Sequence, residues 1–299
     1  MLGGPTACGK TGVGLALARA FDGEIVNADS VQMVRGFDLG SAKPTPAERA
    51  AVPHHLLDVV GPRDDLSAGT FVRLADAAIA EIAGRGRLPL VVGGTGLYLR
   101  ALVEGLADIP AVPADVRARL AGRLEHEGLP ALHAELARLD PAYAARIAPT
   151  DRQRTLRALE VIAVSGRPFS SFHGGGTARP GLRFLQLALV RERAELHARI
   201  DARVDAMMAA GFVEEVRGLA AAGLDLSVKP MTSLGYRQLF EHLRGDCDLA
   251  TAVAAIKAGH RQYAKRQLTW FRGRPGVRLV PATDAAGLAG LVQAFLAER

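Results

Sequence analysis

The sequence predicts an α/β fold in which helices flank a parallel sheet, together with an inserted all-helical subdomain. Short apolar runs alternate with longer helical patterns, as in parallel βαβ units. This strand pattern disappears between about residues 110 and 180, where only helical patterns remain. With 299 residues and 49% apolar content, the chain can bury a sizeable core.

Three strand-like runs each lead into a polar or glycine-rich turn. Ligands of parallel sheets bind beyond the carboxyl ends of the strands, so we expect these turns to converge on one crevice. The runs are Glu24–Ala28 before Asp29, Leu88–Val92 before Gly93-Gly94-Thr95, and Phe184–Val190 before Arg191.

Helices are predicted wherever apolar residues recur at helical spacing. One such helix begins at Ser67, and later patterns cover residues 197–219 and 249–271, followed by a strand-like run at 277–280 and a terminal helix. Pro53 before His54-His55 predicts a turn, and we interpret these histidines as structural or substrate-adjacent. The apolar face after Ser67 consists of Phe71, Leu74, Ala78 and Ile82.

The segment 110–181 is predicted to be the inserted subdomain. Thr150–Gln153 fits a capping box that opens a helix through Val164. Residues 173–181 contain too few apolar side chains for a core element and are interpreted as a flexible return loop. The chain is therefore divided into 1–109, 110–181 and 182–299, with the first and last parts forming the core.

Composition restricts the partners and the compartment. The formal net charge of +6 favours an anionic partner. Two cysteines, Cys8 and Cys247, exclude a disulfide framework and a four-cysteine zinc site. No run approaches the ~20 apolar residues of a membrane span, and no secretion signal is present. We therefore expect a cytoplasmic protein without a membrane partner.

The strongest local motif is G-x-x-x-x-G-K-[ST], which is followed by a helical pattern and predicts a P-loop NTPase-like core. Its backbone N–H groups and the positive helix end would hold a diphosphate or triphosphate, Lys10 would add a charge, and Thr11 would ligate Mg²⁺. The phosphate loop comprises Gly4, Pro5, Thr6, Ala7, Cys8, Gly9, Lys10 and Thr11.

The strand before this loop is short. Only Met1, Leu2 and Gly3 precede Gly4, so we expect the natural start to lie upstream of Met1. In hydrolytic phosphate-loop enzymes a later strand usually ends in an aspartate or glutamate. Here the strand-like run Leu88–Val92 is followed by Gly93-Gly94-Thr95 instead. This weighs against a motor or switch NTPase but leaves a small-molecule kinase open.

Further motifs resemble those of bacterial tRNA dimethylallyltransferases, in the same order and over nearly the whole chain. Two departures are Val34, where a tyrosine is common nearby, and Cys8, where small residues are usual. We expect the Cys8 thiol to make the loop sensitive to alkylating reagents. The matching motifs are Asp29–Gln32, Gly36–Pro44, Pro53–Asp58, Gly93–Tyr98, Gln153–Glu160, Gly235–Gln238 and Ala264–Arg272.

The resemblance implies a reaction centre. In that family the aspartate at the Asp29 position takes a proton from the adenosine N6 amine as it attacks the allylic carbon. The threonine at the Thr95 position hydrogen-bonds the oxygen between the dimethylallyl group and the diphosphate. The phosphate loop with Arg193 and Arg199 would hold the diphosphate, and Mg²⁺ would be the cofactor. Taken alone, Asp29 could cap a helix and Thr95 could be a turn residue.

The resemblance also implies contacts with a tRNA anticodon stem-loop. Proteins read splayed loop bases by stacking and edge hydrogen bonds, and a modified adenine must leave its stack. A polar outer helix face is the alternative for the later residues of this set. The expected contacts are Asp29, Ser30, Val31, Gln32, Thr95, Arg117, Gln153, Arg154, Thr155, Leu156 and Arg157.

The predicted function is transfer of a dimethylallyl group from its diphosphate to N6 of the adenosine 3′ to the anticodon, in tRNAs that read codons beginning with U. The nearest alternative is a phosphate-loop kinase of a small metabolite or nucleotide. A third hypothesis is an RNA-binding protein whose loop senses nucleotide. No obligate protein partner is predicted. Lys257, Arg261, Lys265 and Arg272 could track RNA or could form a solvated helix face.

Overall fold

A computed structural model of the chain describes residues 1–172, 179 and 181–298. The strands are β1 (Leu2–Gly3), β2 (Gly23–Asn27), β3 (His54–His55), β4 (Leu88–Val92), β5 (Gln186–Val190) and β6 (Val277–Pro281). The α-helices are α1 (Lys10–Ala20), α2 (Pro46–Ala51), α3 (Ala68–Gly84), α4 (Gly96–Glu104), α5 (Ala114–Leu139), α6 (Pro141–Ala144), α7 (Arg152–Ser165), α8 (Arg193–Ala209), α9 (Phe212–Ala221), α10 (Tyr236–Leu243), α11 (Leu249–Arg272) and α12 (Ala285–Ala297). Short 3-10 helices span Phe169–Phe172 and Lys229–Thr232.

The strands form one parallel sheet in the order β3-β2-β4-β1-β5-β6. Although β1 is only two residues long, it lies between β4 and β5, and Leu2 is opposite both Val92 and Leu187. A parallel sheet flanked by helices is the fold class that the sequence predicts, so this prediction is confirmed.

Both faces of the sheet are buried by helices. Ile25 and Leu90 belong to an apolar cluster that includes residues of α1 and α12, whereas Val26 and Val91 belong to a cluster that includes α3 and α4. Adjacent strand residues point to opposite faces, so this division shows that each face has its own cover of helices. Within the described residues, no helix is long and apolar enough to cross a membrane.

Most predicted elements are present, with two corrections. Ser67 caps α3 as predicted, because its hydroxyl accepts a hydrogen bond from Thr70 N at 3.0 Å. The helical pattern 197–219 forms two helices, because Gly211 adopts φ 99° between α8 and α9. The turn predicted at His54-His55 is wrong: these residues form β3, which pairs in parallel with β2.

The described chain divides into two compact units. One contains Met1–Val103 and Leu182–Arg299, and the other contains Glu104–Gly181. Within the second unit the described residues form helices and no strand, and α5 is interrupted at Gly128, where φ is 79°. The N-cap of α7 is Asp151 and not Thr150, because the Asp151 carboxylate accepts from Arg154 N. The predicted return loop at 173–181 lies mostly outside the described residues.

A buried charge cluster lies at the amino-terminal edge of the sheet. Glu24 in β2 is 2% exposed and bonds to His55 Nε2 at 2.6 Å, Arg85 Nη2 at 2.7 Å and Arg87 Nη1 at 3.2 Å. Burial alone would raise the pKa of Glu24, but the three hydrogen bonds outweigh it and lower the pKa to about 2. The carboxylate is therefore ionised and satisfied in the folded state.

We predict that Glu24→Gln lowers the free energy of unfolding by roughly 2–3 kcal/mol at pH 7, because it removes a buried, hydrogen-bonded charge. The folded-state pKa lies below the unfolded value of about 4.3, so this contribution is complete above that value and is lost as the pH falls towards 2. Urea unfolding at pH 7 and pH 3 would measure both effects. Glu81→Gln, which removes an exposed partner of Arg85, is the control and should change stability little. An unchanged pH dependence in Glu24→Gln would contradict the prediction.

Candidate active site

Four turns meet at the carboxyl edge of the sheet, in the unit that contains Met1–Val103 and Leu182–Arg299. The phosphate loop follows β1, Asp29 follows β2, the Gly93-Gly94-Thr95 turn follows β4, and Arg191 follows β5. Because β2, β4, β1 and β5 are consecutive in the sheet, these turns are neighbours. The convergence that the strand pattern predicts is therefore present.

The phosphate loop curls into the amino terminus of α1. Gly9 is the N-cap of this helix with φ 103°, a conformation that side-chain-bearing residues rarely adopt. Ala7 also has a positive φ of 61°, which is a sign of strain at a functional turn. Lys10 Nζ donates to Gly4 O at 3.0 Å and to Pro5 O at 2.7 Å. Its charge therefore lies over the loop, where phosphate oxygens would bind.

Three arginines lie against this loop. Arg191 Nε donates to Cys8 O at 2.8 Å, Arg199 Nε donates to Ala7 O at 3.0 Å, and Arg203 Nη1 approaches Thr6 Oγ1 at 3.4 Å. Arg191 Nη1 also pairs with Glu195. Arg199 and Arg203 use only part of their guanidinium groups in these contacts, so further donors remain on both for an anion. The sequence singled out Arg199 but missed the roles of Arg191 and Arg203.

Arg193 is the sequence-predicted arginine that does not join this group. It is exposed at the first position of α8 and lines neither of the two cavities that adjoin the phosphate loop and Thr95. Arg199 and Arg203 are six and ten residues further along the helix, which brings their side chains to the loop. Arg193 therefore stays a prediction without a contact to this loop, and Arg203 is a further candidate for binding an anion.

Arg203 is an unusual cation because it is largely enclosed. Among the described residues, its buried Nε has no hydrogen-bond partner. Burial lowers the pKa of Arg203, whereas the Asp29 carboxylate raises it. A guanidinium remains protonated at any physiological pH, so the fold holds a fixed positive charge with a free donor near Asp29. An anionic ligand would satisfy such a group.

Asp29 has one fixed and one available carboxylate oxygen. Oδ1 accepts hydrogen bonds from Val31 N at 3.0 Å and Gln32 N at 3.4 Å. No donor to Oδ2 is found within the described part of the chain. Oδ1 therefore holds the turn that follows Asp29, and Oδ2 is available for the predicted proton transfer.

Thr95 is anchored in a similar way. Its N–H donates to Ala28 O at 3.2 Å, and its Oγ1 accepts from Ser30 N at 3.1 Å. A hydroxyl that accepts one hydrogen bond still has its own proton to donate. Thr95 can therefore donate to a ligand oxygen while the backbone after Asp29 holds it in place.

Two cavities adjoin these residues, and both belong to the unit that carries the sheet. One of about 1090 Å³ is lined by the phosphate loop, Asp29, Arg199 and Arg203. Another of about 770 Å³ is lined by Thr95 and Tyr98. Asp29 and Thr95 thus face different cavities, and these share four lining residues. The shared residues are Ser30, Val31, Thr232 and Ser233.

Two tyrosines beside the cavities stay protonated. Burial, with a smaller effect of Asp29, raises the pKa of Tyr263 to about 12. Burial, with smaller effects of Asp29 and Asp65, likewise raises the pKa of Tyr98 to about 12. Neither phenol therefore competes with Asp29 as a base at neutral pH.

The chain after Asp29 is held by several partly buried polar contacts. Gln32 Nε2 donates to Ser41 O and Ala42 O, both at 3.0 Å, which leaves only its amide oxygen for a partner. Glu215 accepts from Leu39 N at 2.6 Å and from Tyr236 Oη at 2.5 Å. These contacts tie the loop that lines the larger cavity to helices α9 and α10.

Gln267 was missed as a site residue although it lies in one of the matching motifs. It is 7% exposed on α11, and its side-chain amide bridges the phosphate loop and the turn before Thr95. The sequence contains one indication of this role, because Gln267 is a polar residue on the largely apolar face of a predicted helix.

Within the unit Glu104–Gly181, the predicted RNA contacts differ in exposure. Arg117, Gln153 and Arg154 are exposed, and Arg157 is partly exposed. Thr155 is fully buried, and Leu156 packs against the apolar cluster of this unit. The Thr155 side chain is therefore not accessible to RNA, which corrects its assignment, whereas the partly buried Leu156 stays a prediction.

Two other expectations are decided by local contacts. Cys8 is 0% exposed, so the expected sensitivity of its thiol to alkylating reagents does not apply to the folded loop. Lys257 pairs with Asp205 at 2.6 Å, and Arg261 pairs with Asp201 at 2.5 Å. These two cations connect α11 to α8.

The described residues contain no group of three or more His, Cys, Asp or Glu side chains that could hold a metal. A Mg²⁺ ion at this site would depend on the Thr11 hydroxyl and on substrate oxygens. Magnesium commonly binds in this way, with few protein ligands and several phosphate or water oxygens. The residues present therefore fit a metal that arrives with a diphosphate.

Comparison with known proteins decides the family. The model of the IPP transferase family matches residues 32–274. The chain belongs to this family. It is 51% identical over 296 residues to the tRNA dimethylallyltransferase of Anaeromyxobacter sp., covering 98% of each chain. It is 50% identical over 294 residues to that of Syntrophobacter fumaroxidans, covering 98% of this chain and 86% of the relative.

Solved structures agree with this assignment. The tRNA isopentenylpyrophosphate transferase of Bacillus halodurans aligns with a TM-score of 0.73 and 37% identity, over 99% of this chain and 96% of the other. A eukaryotic dimethylallyltransferase, whose structures show it acting on tRNA, aligns with a TM-score of 0.82 and 27% identity, over 100% of this chain and 79% of the other. The family resemblance and the phosphate-loop fold inferred from the sequence are confirmed.

Proposed function

We propose that this transferase moves a dimethylallyl group from dimethylallyl diphosphate to N6 of the adenosine 3′ to the anticodon, in tRNAs that read codons beginning with U. The observation that carries the proposal is the position of Asp29 and Thr95 beside a phosphate loop, in a chain of the IPP transferase family. The relatives named above are tRNA dimethylallyltransferases, which supports tRNA as the acceptor.

The diphosphate would bind over the phosphate loop. Backbone N–H groups at the start of α1, Lys10, Arg199 and Arg203 supply positive charge on one side of the larger cavity. The unpartnered Nε of Arg203 provides a specific reason for an anion to bind there. Arg191 would contribute indirectly by holding the phosphate loop in place, since it donates to Cys8 O.

Thr95 would assist departure of the diphosphate. As the bond between the allylic carbon and its oxygen breaks, the electron pair goes to that oxygen and negative charge develops on it. The Thr95 hydroxyl, fixed by Ser30 N, would donate its proton in a hydrogen bond to this oxygen. A donor that is already oriented lowers the barrier more than one that must reorganise.

Asp29 would remove the proton of the attacking amine. The new bond joins adenine N6 to the allylic carbon, and the proton lost from N6 goes to the free Oδ2 of Asp29. Since the exocyclic amine is very weakly acidic, proton transfer accompanies or follows bond formation. Fixing Oδ1 to Val31 N and Gln32 N keeps Oδ2 aimed at one position.

Thr11 would hold Mg²⁺ together with the diphosphate. When bound, the ion would neutralise charge on the phosphate oxygens. Thr11 lines the larger cavity next to Lys10, at the beginning of α1. A hydroxyl at this position supplies one hard oxygen ligand, and the diphosphate supplies the others.

Within each unit, exposed or partly exposed residues would contact the tRNA. Ser30, Val31 and the amide oxygen of Gln32 lie next to Asp29, where a flipped adenine must arrive. Arg117, Gln153, Arg154 and Arg157 offer charge and base-edge hydrogen bonds in the inserted unit, in a manner suited to splayed loop bases. Thr155 is left out of this set because its side chain is fully buried, whereas the partly buried Leu156 stays in it.

The decisive assay incubates the protein with Mg²⁺, labelled dimethylallyl diphosphate and either tRNA or AMP. We expect label to appear only in tRNA, at the adenosine 3′ to the anticodon, as located by nuclease digestion and mass spectrometry. A tRNA with a guanosine at that position is the matched control. Transfer to AMP alone, or phosphate transfer from ATP without prenylation, would reject the proposal.

We predict that Asp29→Asn lowers kcat by roughly 10²–10⁴-fold, as expected for loss of a general base. The asparagine Oδ1 can keep the hydrogen bonds from Val31 N and Gln32 N, so tRNA affinity and melting temperature should change little.

Thr95→Ala should lower kcat by roughly 10²-fold, because the leaving oxygen loses its donor. Single-turnover rates and filter-binding affinities measure both effects. Equal losses of rate and tRNA affinity would instead indicate a binding role.

We predict that Mg²⁺ strengthens binding of inorganic diphosphate by roughly tenfold, equivalent to about 1.4 kcal/mol. Thr11→Val should lose most of this gain, whereas Thr11→Ser keeps the hydroxyl and should retain it. Calorimetric titration with and without Mg²⁺ measures the effect independently of prenyl transfer. A gain in Thr11→Val as large as that of the parent would show that Thr11 does not ligate the ion.

A further inference from the structure

Gln267 is a polar residue on the buried face of α11. The buried residues of this helix recur every three or four positions, and Gln267 takes one of them. A buried amide costs free energy unless its oxygen and nitrogen are both hydrogen-bonded. A helix that needed only packing at this position would place an apolar side chain there. The buried residues of α11 are Ala252, Ile256, His260, Ala264, Gln267 and Phe271.

Both ends of the Gln267 amide are used, and they hold two different segments. Its oxygen accepts from Thr6 N at 2.8 Å, within the phosphate loop. Its nitrogen donates to Gly94 O at 2.9 Å, the residue immediately before Thr95. One side chain therefore connects the loop proposed to hold the diphosphate with the turn that carries the proposed leaving-group donor.

The contact with the Thr95 turn is close. A methyl group added to Gly94 would stand 2.5 Å from Gln267 Nε2, and one added to Gly96 would stand 2.7 Å from the Trp270 ring. Gln267 and Trp270 are three residues apart and share one helix face. The turn on both sides of Thr95 is thus packed directly against α11, so its position depends on that of the helix.

We propose that Gln267 is a positioning residue that sets the distance between the phosphate loop and Thr95. This inference rests on the proposed function. The loop binds the diphosphate while Thr95 donates to the oxygen that joins it to the dimethylallyl group, so one substrate must satisfy both segments at once. A misplacement of about 1 Å between catalytic groups can cost about 10² in rate.

The test replaces Gln267 by methionine, which has a similar length and helix propensity but makes neither hydrogen bond. We expect kcat for dimethylallyl transfer to tRNA to fall by roughly 10- to 100-fold, while KM for dimethylallyl diphosphate changes less than about threefold. Thr269→Val, an exposed position on the same helix, is the matched control and should stay within twofold of the parent.

Introducing Gln267→Met into the Thr95→Ala variant distinguishes a positioning role from a general loss of stability. In Thr95→Ala there is no hydroxyl to misplace, so adding Gln267→Met should lower kcat by less than about threefold. A purely structural role would reduce the rate by the same factor in both backgrounds. Such multiplicative losses, or a parent-like kcat in Gln267→Met, would overturn the inference.

Gly94→Ala perturbs the same contact by changing the turn instead of the helix. It is the variant to use if Gln267→Met does not fold. Its methyl group would displace the Gln267 amide, so kcat should fall to a similar extent. Combined with Thr95→Ala, it should lower kcat by less than about threefold further, because no hydroxyl is left to misplace. A loss by the same factor in both backgrounds would overturn the inference. Failure of the parent chain to prenylate tRNA would reject the proposed function, whereas an active parent with unaffected variants would reject only the role of Gln267.

Discussion

The hydrogen bonds between the ends of β2 and β4 are the constraint on which the site depends. Ala28 N donates to Val92 O at 2.8 Å, and Thr95 N donates back to Ala28 O at 3.2 Å. These bonds extend the strand pairing beyond its last paired residues, so Asp29 and Thr95 leave the sheet side by side. Ser30 N then bonds to Thr95 Oγ1. The proposed proton acceptor, Asp29, and the proposed hydrogen-bond donor, Thr95, are thereby held by backbone groups, which have little freedom to reorganise.

The electrostatic arrangement depends on α8 and α11 packing across the carboxyl edge of the sheet. Arg199 and Arg203 contact the phosphate loop from α8, and Gln267 contacts it from α11. Ion pairs of Lys257 with Asp205 and of Arg261 with Asp201 hold these helices together. The free energy needed to bring several cations close to one another is supplied by the fold, so the site is organised for an anion before one binds.

Features specified by neighbouring residues could be predicted from the sequence. The phosphate loop, the Ser67 cap and the strand before Thr95 follow from short motifs and from apolar periodicity, because their determinants lie within one or two turns of chain. Prediction failed where a distant partner decided the structure. His54-His55 form a strand because β2 offers them an edge, and Thr155 is buried by the packing of its own unit.

By itself, the sequence determined the family, the phosphate loop and the two candidate catalytic residues, since each is carried by residue types in a fixed local order. Only the tertiary structure shows that Arg203 contacts the phosphate loop while Arg193 is exposed, and that Gln267 links the phosphate loop to the turn at Thr95. Gln267 lies 261 and 173 residues from its two partners. Contacts over such separations are set by how helices pack on the sheet, and no local pattern encodes them.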